Sequence, residues 1–225
     1  MPMALAAILS SRFVARGTSL LAVALAAAMT LAPARAAGPA DTETAALCAK
    51  ARTVERWNSG EGFTYFPTSG DRLFAMSLPG KHFTPHRELS RPAMQIDGVF
   101  YQFLFVPISA FSPGPRPSDA ELLSRHARWE FDAARRAGGP LDRFADLGNK
   151  DRPATDGREA ATFKLWRMHN ADDTATQFFV TTVVGDEVVV MSAIPRPDPA
   201  AAEQFGKVFR YYADKLVWLE CRGAG

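Results

Sequence analysis

Residues 99–108, with the sequence VFYQFLFVPI, restrict the possible folds of this chain more than any other segment. Aromatic and β-branched residues dominate this segment, and such residues favour β-strands. Successive side chains of a strand point to opposite faces, so a run that is apolar on both faces, apart from Gln102, needs cover on both sides. The segment therefore predicts a central strand of a sheet that carries a layer on each face.

Other segments supply further strands of this sheet. Residues 72–78 alternate between two faces, and Pro79-Gly80 ends the pattern. Gly185-Asp186 is a two-residue hairpin turn between two apolar runs, because glycine provides the positive φ that such a turn needs. Hairpin connections predict a mostly antiparallel sheet. The full set of further strands is residues 63–66, 72–78, 160–168, 176–184 and 187–194.

Three segments predict helices. Residues 42–57 have apolar side chains at helical spacing, and residues 118–137 begin with Ser118 and Glu121 in a capping-box arrangement. Residues 199–219 follow a cap at Asp198 and carry an apolar face at 3-4-3-4-3 spacing.

The order of these elements predicts the fold class. It is an α+β fold in which a mostly antiparallel sheet is flanked by helices on both faces, as an α/β/α sandwich. Three long connectors rich in proline or glycine join the elements, at residues 79–97, 107–117 and 138–158.

Residues 74–80 (FAMSLPG), residues 157–163 (GREAATF) and the closing helix rich in Phe and Tyr resemble the PsbP-like fold. This fold is named for an extrinsic subunit of the oxygen-evolving complex, and the resemblance extends over residues 62–220. It implies a binding or accessory role, because the known members are mostly not enzymes. No functional residue is carried over from the family, and the resemblance identifies no partner.

The N-terminal segment has the three parts of a secretory signal peptide. Arg12 and Arg16 precede an uncharged apolar run at residues 20–32, and Ala34 and Ala36 form an Ala-x-Ala cleavage site. We expect residues 1–36 to be removed and residues 37–225 to form a single α+β domain in the periplasm or outside the cell. The alternative is an uncleaved N-terminal anchor.

The charge balance of the expected mature chain is close to neutral. Without Arg12, Arg16 and Arg35, the 26 basic residues become 23, against 24 acidic residues. This balance predicts no nucleic-acid partner, because nucleic-acid-binding domains carry a basic patch. No later stretch is long and apolar enough to span a membrane, so we expect no stable membrane span after cleavage.

The chain contains two cysteines, Cys48 and Cys221. In an oxidising compartment such a pair favours a disulfide bond between the two ends of the domain. Two buried free thiols are the alternative, and a metal site is less favoured because no histidine is near either cysteine in sequence.

Sequence motifs that indicate catalysis are absent. The chain has no G-x-S-x-G, H-E-x-x-H or C-x-x-C motif, and it gives no indication of a cofactor. The densest group of potential metal ligands is His82, His86 and Glu88, which have the side-chain types that bind zinc. The alternative interpretation of these three residues is a solvated polar loop.

Three aromatic residues lie in the long connectors: Phe83, Phe111 and Phe144. Exposed aromatic residues in loops can mark a binding surface. They can equally pin a loop to the core.

These observations predict an exported, soluble envelope protein with a non-catalytic binding or accessory role. Its partner would be an envelope protein or a small ligand, bound through the three connectors. The alternative function is a metal-dependent hydrolase that uses His82, His86 and Glu88. A structural or stress-response role without a discrete site is the third possibility.

Overall fold

The computed structural model of the chain describes residues 48, 56–58, 62–65, 68–69, 71–86, 93–155, 159–197 and 199–221. The predicted signal peptide therefore lies outside the described residues. Besides the helical residue 48, two α-helices, two short 3-10 helices and twelve strands are found in the described part. In chain order these are β1 (Arg56–Asn58), β2 (Gly62–Tyr65), β3 (Thr68–Ser69), β4 (Arg72–Pro79), β5 (Phe83–Pro85), β6 (Ala93–Ile96), β7 (Val99–Pro107), the 3-10 helix Ile108–Ala110, α1 (Asp119–Arg136), β8 (Arg143–Arg152), β9 (Ala161–His169), β10 (Thr176–Val184), β11 (Glu187–Ile194), α2 (Pro199–Phe209), the 3-10 helix Arg210–Asp214 and β12 (Leu216–Glu220).

The strands form two sheets. The larger sheet has seven strands in the order β5-β6-β7-β11-β10-β9-β8, and the smaller sheet contains β1, β2, β4 and β12 in that order, with β3 also paired to β4. All of these pairings are antiparallel. The predicted α+β class and antiparallel sheet are confirmed.

Each face of the seven-stranded sheet packs against its own core. Leu123, Ala127 and Phe131 of α1 lie on one face, where they meet Trp166 and Phe179. The other face packs against both α2 and the smaller sheet. The predicted layers on both faces are therefore present, with the smaller sheet as an addition that the sequence did not indicate.

Strand β7 lies within the larger sheet, between β6 and β11. Phe103 is buried in the core on the α2 side, whereas Leu104 packs against the core on the α1 side. The prediction of a central strand covered on both faces is confirmed.

The C-terminal helix predicted over residues 199–219 is wrong in its second half. Helix α2 ends at Phe209, and residues Leu216–Glu220 form β12, which pairs with β4. Leu216 and Trp218 both meet the core from this strand, so the spacing of apolar residues fits a strand here as well as a helix. The strand pairing with β4 decides between the two.

The predicted first helix, over residues 42–57, is wrong at its C-terminal end. Residue 48 is helical, but β1 begins at Arg56 and pairs with β2. The rest of the predicted helix lies outside the described residues.

Two of the predicted connectors contain strands. The segment 138–158 contains β8, an edge strand that pairs with β9 and has a register shift between Asp146 and Asn149. The segment 79–97 contains β5 and β6. Strand β8 carries few apolar residues because most of its side chains are exposed at the edge of the sheet.

Asp97-Gly98 forms the turn of a hairpin between β6 and β7. Both residues have positive φ, 48° for Asp97 and 86° for Gly98, as a type I′ turn requires. The Asp-Gly pair between apolar residues is a known hairpin signal that the sequence interpretation missed.

The predicted disulfide bond between Cys48 and Cys221 is present, with the two Cα atoms 5.8 Å apart. Both cysteines are buried beside Leu73 of β4. Because Cys221 follows β12, the bond ties residue 48 to the end of this strand. The two cysteines are 173 residues apart in sequence.

We expect the disulfide bond to contribute up to about 5 kcal/mol to the free energy of unfolding, because it closes a long loop in the unfolded chain. Urea unfolding of residues 37–225 with and without reductant measures this contribution. A variant with both Cys48→Ala and Cys221→Ala is the control, and reductant should not change its stability. An equal stability of the oxidised and reduced protein would contradict the prediction.

Candidate functional site

Phe83 and Phe144 are packed against the core, on opposite faces of the larger sheet. The ring of Phe83 lies 5.2 Å from that of Phe63, between centroids, on the α2 side. Phe144 lies 5.6 Å from Phe131 and 5.7 Å from Trp166 on the α1 side. The structure thus does not bring the two rings to one surface, and their packing matches the alternative interpretation, that they pin their segments to the core.

Phe111 is also packed against the core, on the α1 side. Its ring centroid lies 5.3 Å from His126 and 6.2 Å from Trp129, both on α1. Replacing any of the three predicted phenylalanines would therefore disturb packing. A role of these residues in binding stays a prediction.

The potential metal ligands lie around β5. His82 has an exposed side chain whose Nδ1 is 3.1 Å from Oδ1 of Asp97, while the ring of His86 packs 5.1 Å from that of Phe100. The extended strand between the two histidines separates their Cα atoms by about 13 Å. Glu88 lies outside the described residues.

The carboxylate of Asp97 joins the β6–β7 turn to the residues that precede β5. This carboxylate accepts hydrogen bonds from the backbone N–H groups of Lys81 and His82, and these bonds lower the pKa of Asp97. Among the described residues, no three His, Cys, Asp or Glu side chains are grouped to hold a metal ion. The three-residue metal site stays a prediction because Glu88 is not described.

A cleft of about 810 Å³ opens at one end of the structure. Its walls come from four places: residues 69, 71 and 72 around the β3–β4 turn, seven residues within the segment 107–116 that begins at the end of β7, residues 186–187 at the tip of the β10–β11 hairpin, and Glu220 at the end of β12. We refer to this feature as the cleft. Of the described parts of the three connectors that the sequence offered as a binding surface, those of 107–117 form a wall of it.

Arg72 holds one side of the hairpin tip. Its Nε donates a 2.7 Å hydrogen bond to Glu220, and its guanidinium lies against Gly185, where a Cβ atom would be 2.5 Å from both Nη atoms. Gly185 also has a φ of 60°, a backbone conformation that strains other residues, so the turn favours glycine here. The hydrogen bond to Glu220 raises the pKa of Arg72 against the effect of burial, and the charges of Glu187 and Asp186 add to the increase.

Arg116 holds the other side of the same tip. Its Nη1 donates a 2.8 Å hydrogen bond to the carbonyl oxygen of Gly185 and lies 3.6 Å from Oδ1 of Asp186. Its Nη2 donates to Asp119 at the start of α1. The two arginines therefore fix the hairpin tip between β4 and the connector 107–117.

Further hydrogen bonds join the hairpin to the walls of the cleft. The hydroxyl of Ser69 donates to Oε2 of Glu187 at 2.6 Å, and the backbone N–H of Ile108 donates to the carbonyl oxygen of Asp186 at 2.9 Å. The walls are thus held in fixed relative positions, which suits a preformed site.

The charges that line the cleft are predominantly negative. Four carboxylates face two arginines, which gives a net charge of −2. Each arginine already has a carboxylate within 4 Å, and the side chain of Asp186 is fully exposed. A concave surface with excess carboxylates attracts ammonium and guanidinium groups. The lining carboxylates are Asp71, Asp186, Glu187 and Glu220.

Sequence reasoning found single parts of the cleft but not the cleft itself. The sequence indicated the turn at residues 185–186 and the proline-rich connector 107–117. No local pattern marked Arg72, Arg116 or Glu220, because their contacts join distant parts of the sequence. Arg72 and Glu220, which bind each other, are 148 residues apart, and Arg116 is 69 residues from Gly185. The pairing of β12 with β4 brings Glu220 to Arg72. The sequence did not indicate this pairing, because the apolar spacing of residues 216–220 also suits a helix.

Within the described ranges, no helix has the length and apolar character needed to span a membrane.

Comparisons with known proteins bear on the fold alone. No protein-family model matches the chain, and no curated protein matches it. The structure is similar to the solution structure of cyanobacterial PsbP (CyanoP) from Synechocystis sp. PCC 6803, with 11% sequence identity and a TM-score of 0.43. The similarity covers 72% of this chain and 89% of that chain.

Proposed function

We propose that this protein is exported and acts as a non-catalytic binding protein that holds a basic segment of another envelope protein in the cleft. The observation that carries the proposal is the geometry of the cleft, a concavity of about 810 Å³ with two more carboxylates than arginines in its walls. Its volume is within the range of ligand sites, about 300–1,000 Å³.

The lining favours a charged protein segment over an apolar small molecule. Small-molecule sites are mostly lined by hydrophobic and aromatic side chains. Here the walls carry six charged side chains and three serines, and no aromatic residue is among the described lining residues. A Lys- or Arg-bearing segment provides the hydrogen-bond donors that these carboxylates accept.

The disulfide bond supports the proposed export. Disulfide bonds persist in oxidising compartments and are rare in the cytosol. The bond between Cys48 and Cys221 therefore agrees with the signal peptide proposed at residues 1–36. Cleavage after Ala36 would leave Cys48 near the start of the mature chain.

Intact-mass measurement of the protein from its native cells tests export. We expect a mass that begins at Ala37, and we expect neither cysteine to react with an alkylating reagent after denaturation. Reduction before alkylation is the control and should label both cysteines. A full-length mass with two alkylated thiols would contradict the proposal.

Charge reversal tests the cleft. We expect Asp71→Lys combined with Asp186→Lys to weaken the binding of a hexalysine peptide about 10-fold at low salt, because each exposed ion pair contributes up to about 1 kcal/mol. The affinity of the wild-type protein should also fall as salt is added. Calorimetry or fluorescence anisotropy measures both effects.

The matched control changes the same net charge elsewhere on the surface. Asp132 on α1 and Asp142 before β8 are exposed and lie outside the cleft. The double variant Asp132→Lys, Asp142→Lys should bind hexalysine within about twofold of the wild type. Equal weakening in both double variants would show that only net charge matters, and would refute the cleft as the binding surface.

A further inference from the structure

His126 is a buried ionisable side chain in the first half of α1. Its exposed fraction is 0%, and neither ring nitrogen has a hydrogen-bond partner among the described residues. A buried polar group without hydrogen-bond partners destabilises the fold, and a charged group does so more than a neutral one. The closed structure therefore holds this imidazole in its neutral form.

The connector 107–117 covers this imidazole. Phe111 packs its ring against the ring of His126, with 5.3 Å between centroids. Ser112 follows directly, and its hydroxyl accepts a hydrogen bond from Nη1 of Arg125 on α1. The backbone N–H groups of Phe111 and Ser112 both donate to the carbonyl oxygen of Ile108.

The same connector forms a wall of the cleft. Ile108 and Ser112 are lining residues of the cleft, while Phe111 between them is turned toward α1. A movement of Phe111 away from His126 therefore also displaces this wall.

Few other charged groups are near His126. On α1 itself, Oε1 of Glu130 lies 3.7 Å from Nε2, beyond hydrogen-bond distance, and Arg125 binds Ser112 and Glu121. These groups do not provide a hydrogen bond to the imidazole, so burial dominates and lowers the pKa of His126 to about 3.

The elements that pack against α1 add further charged pairs. Strand β9 carries Lys164, whose Nζ donates to Asp146 of β8 at 2.8 Å. The same strand carries Arg167 and His169, which both pair with Asp173, and β10 carries no titratable residue. The connector has no titratable residue before Arg116, which is bound to Gly185 and Asp119.

We propose that the connector 107–117 is an acid-released cover over His126, and that its release rearranges the wall of the cleft. The consequence for binding rests on the proposed function, whereas the release itself does not. Opening exposes the imidazole to water, where it gains a proton that the closed state excludes.

The size of the effect follows from the two proton affinities. In the open state the exposed imidazole has a pKa near 6.5, its usual value. The closed state therefore has its full stability relative to the open state above about pH 6.5, and this stability falls as the pH decreases toward about 3. Between pH 7.5 and pH 5 the ratio of open to closed molecules should rise about 30-fold.

Amide hydrogen exchange tests the cover directly. The protection factors of the Phe111 and Ser112 amides should fall about 30-fold from pH 7.5 to pH 5 in the wild-type protein. In the variant His126→Leu, which has a side chain of similar size and no ionisable group, they should not change with pH. His126→Met serves the same purpose if the leucine variant does not fold.

The variant Glu130→Gln distinguishes proton uptake by His126 from proton uptake by Glu130. This variant should keep the acid dependence, because the proton is taken up by His126. An acid dependence that persists in His126→Leu, that disappears in Glu130→Gln, or that is absent in the wild-type protein would overturn the proposal.

Binding of hexalysine at pH 7.5 and pH 5, measured beside the exchange, distinguishes the two proposals. If exchange depends on pH as expected but hexalysine binds at neither pH, the cover stands and the cleft fails as a binding surface. If hexalysine binds in the cleft and the amides show no acid dependence, the cover alone is refuted.

Discussion

The burial of both faces of the β10–β11 hairpin is the constraint on which the other layers depend. On one face Phe179 stacks on Trp166 with 3.8 Å between ring centroids, beneath α1. On the other face Phe178 packs 5.3 Å from Phe205 and 5.2 Å from Phe209, both on α2. Because side chains alternate along a strand, one hairpin is able to anchor both helices. The smaller sheet then covers the rest of the α2 side.

The tip of this hairpin leaves the core and is fixed by charges instead. Arg72 from the smaller sheet and Arg116 from the connector both contact Gly185, and Ser69 donates a hydrogen bond to Glu187. The cleft thus arises where two sheets and one connector converge on a single turn. Three of the four carboxylates in its walls, Asp186, Glu187 and Glu220, interact with these arginines or with Ser69.

The sequence predicted those parts of the fold that local patterns determine. Strands β7, β10 and β11, helix α1 with its cap at Ser118, and the turn at Gly185 follow from periodicity and from turn chemistry. Strand β8 was missed because an exposed edge strand needs no apolar face, and β12 was missed because its apolar spacing also suits a helix. The cleft depends on such non-local pairings, so no local pattern reveals it.

Mapping of the binding surface by NMR tests most directly whether the cleft is the functional site. Addition of hexalysine to the isotope-labelled mature protein should shift the amide resonances of the non-proline residues within 69–72, 107–116, 185–187 and 220, and should leave those of β5 and β8 largely unchanged. Shifts concentrated around Phe83 and Phe144, with the cleft unaffected, would contradict this account and would return the binding surface to the other two connectors.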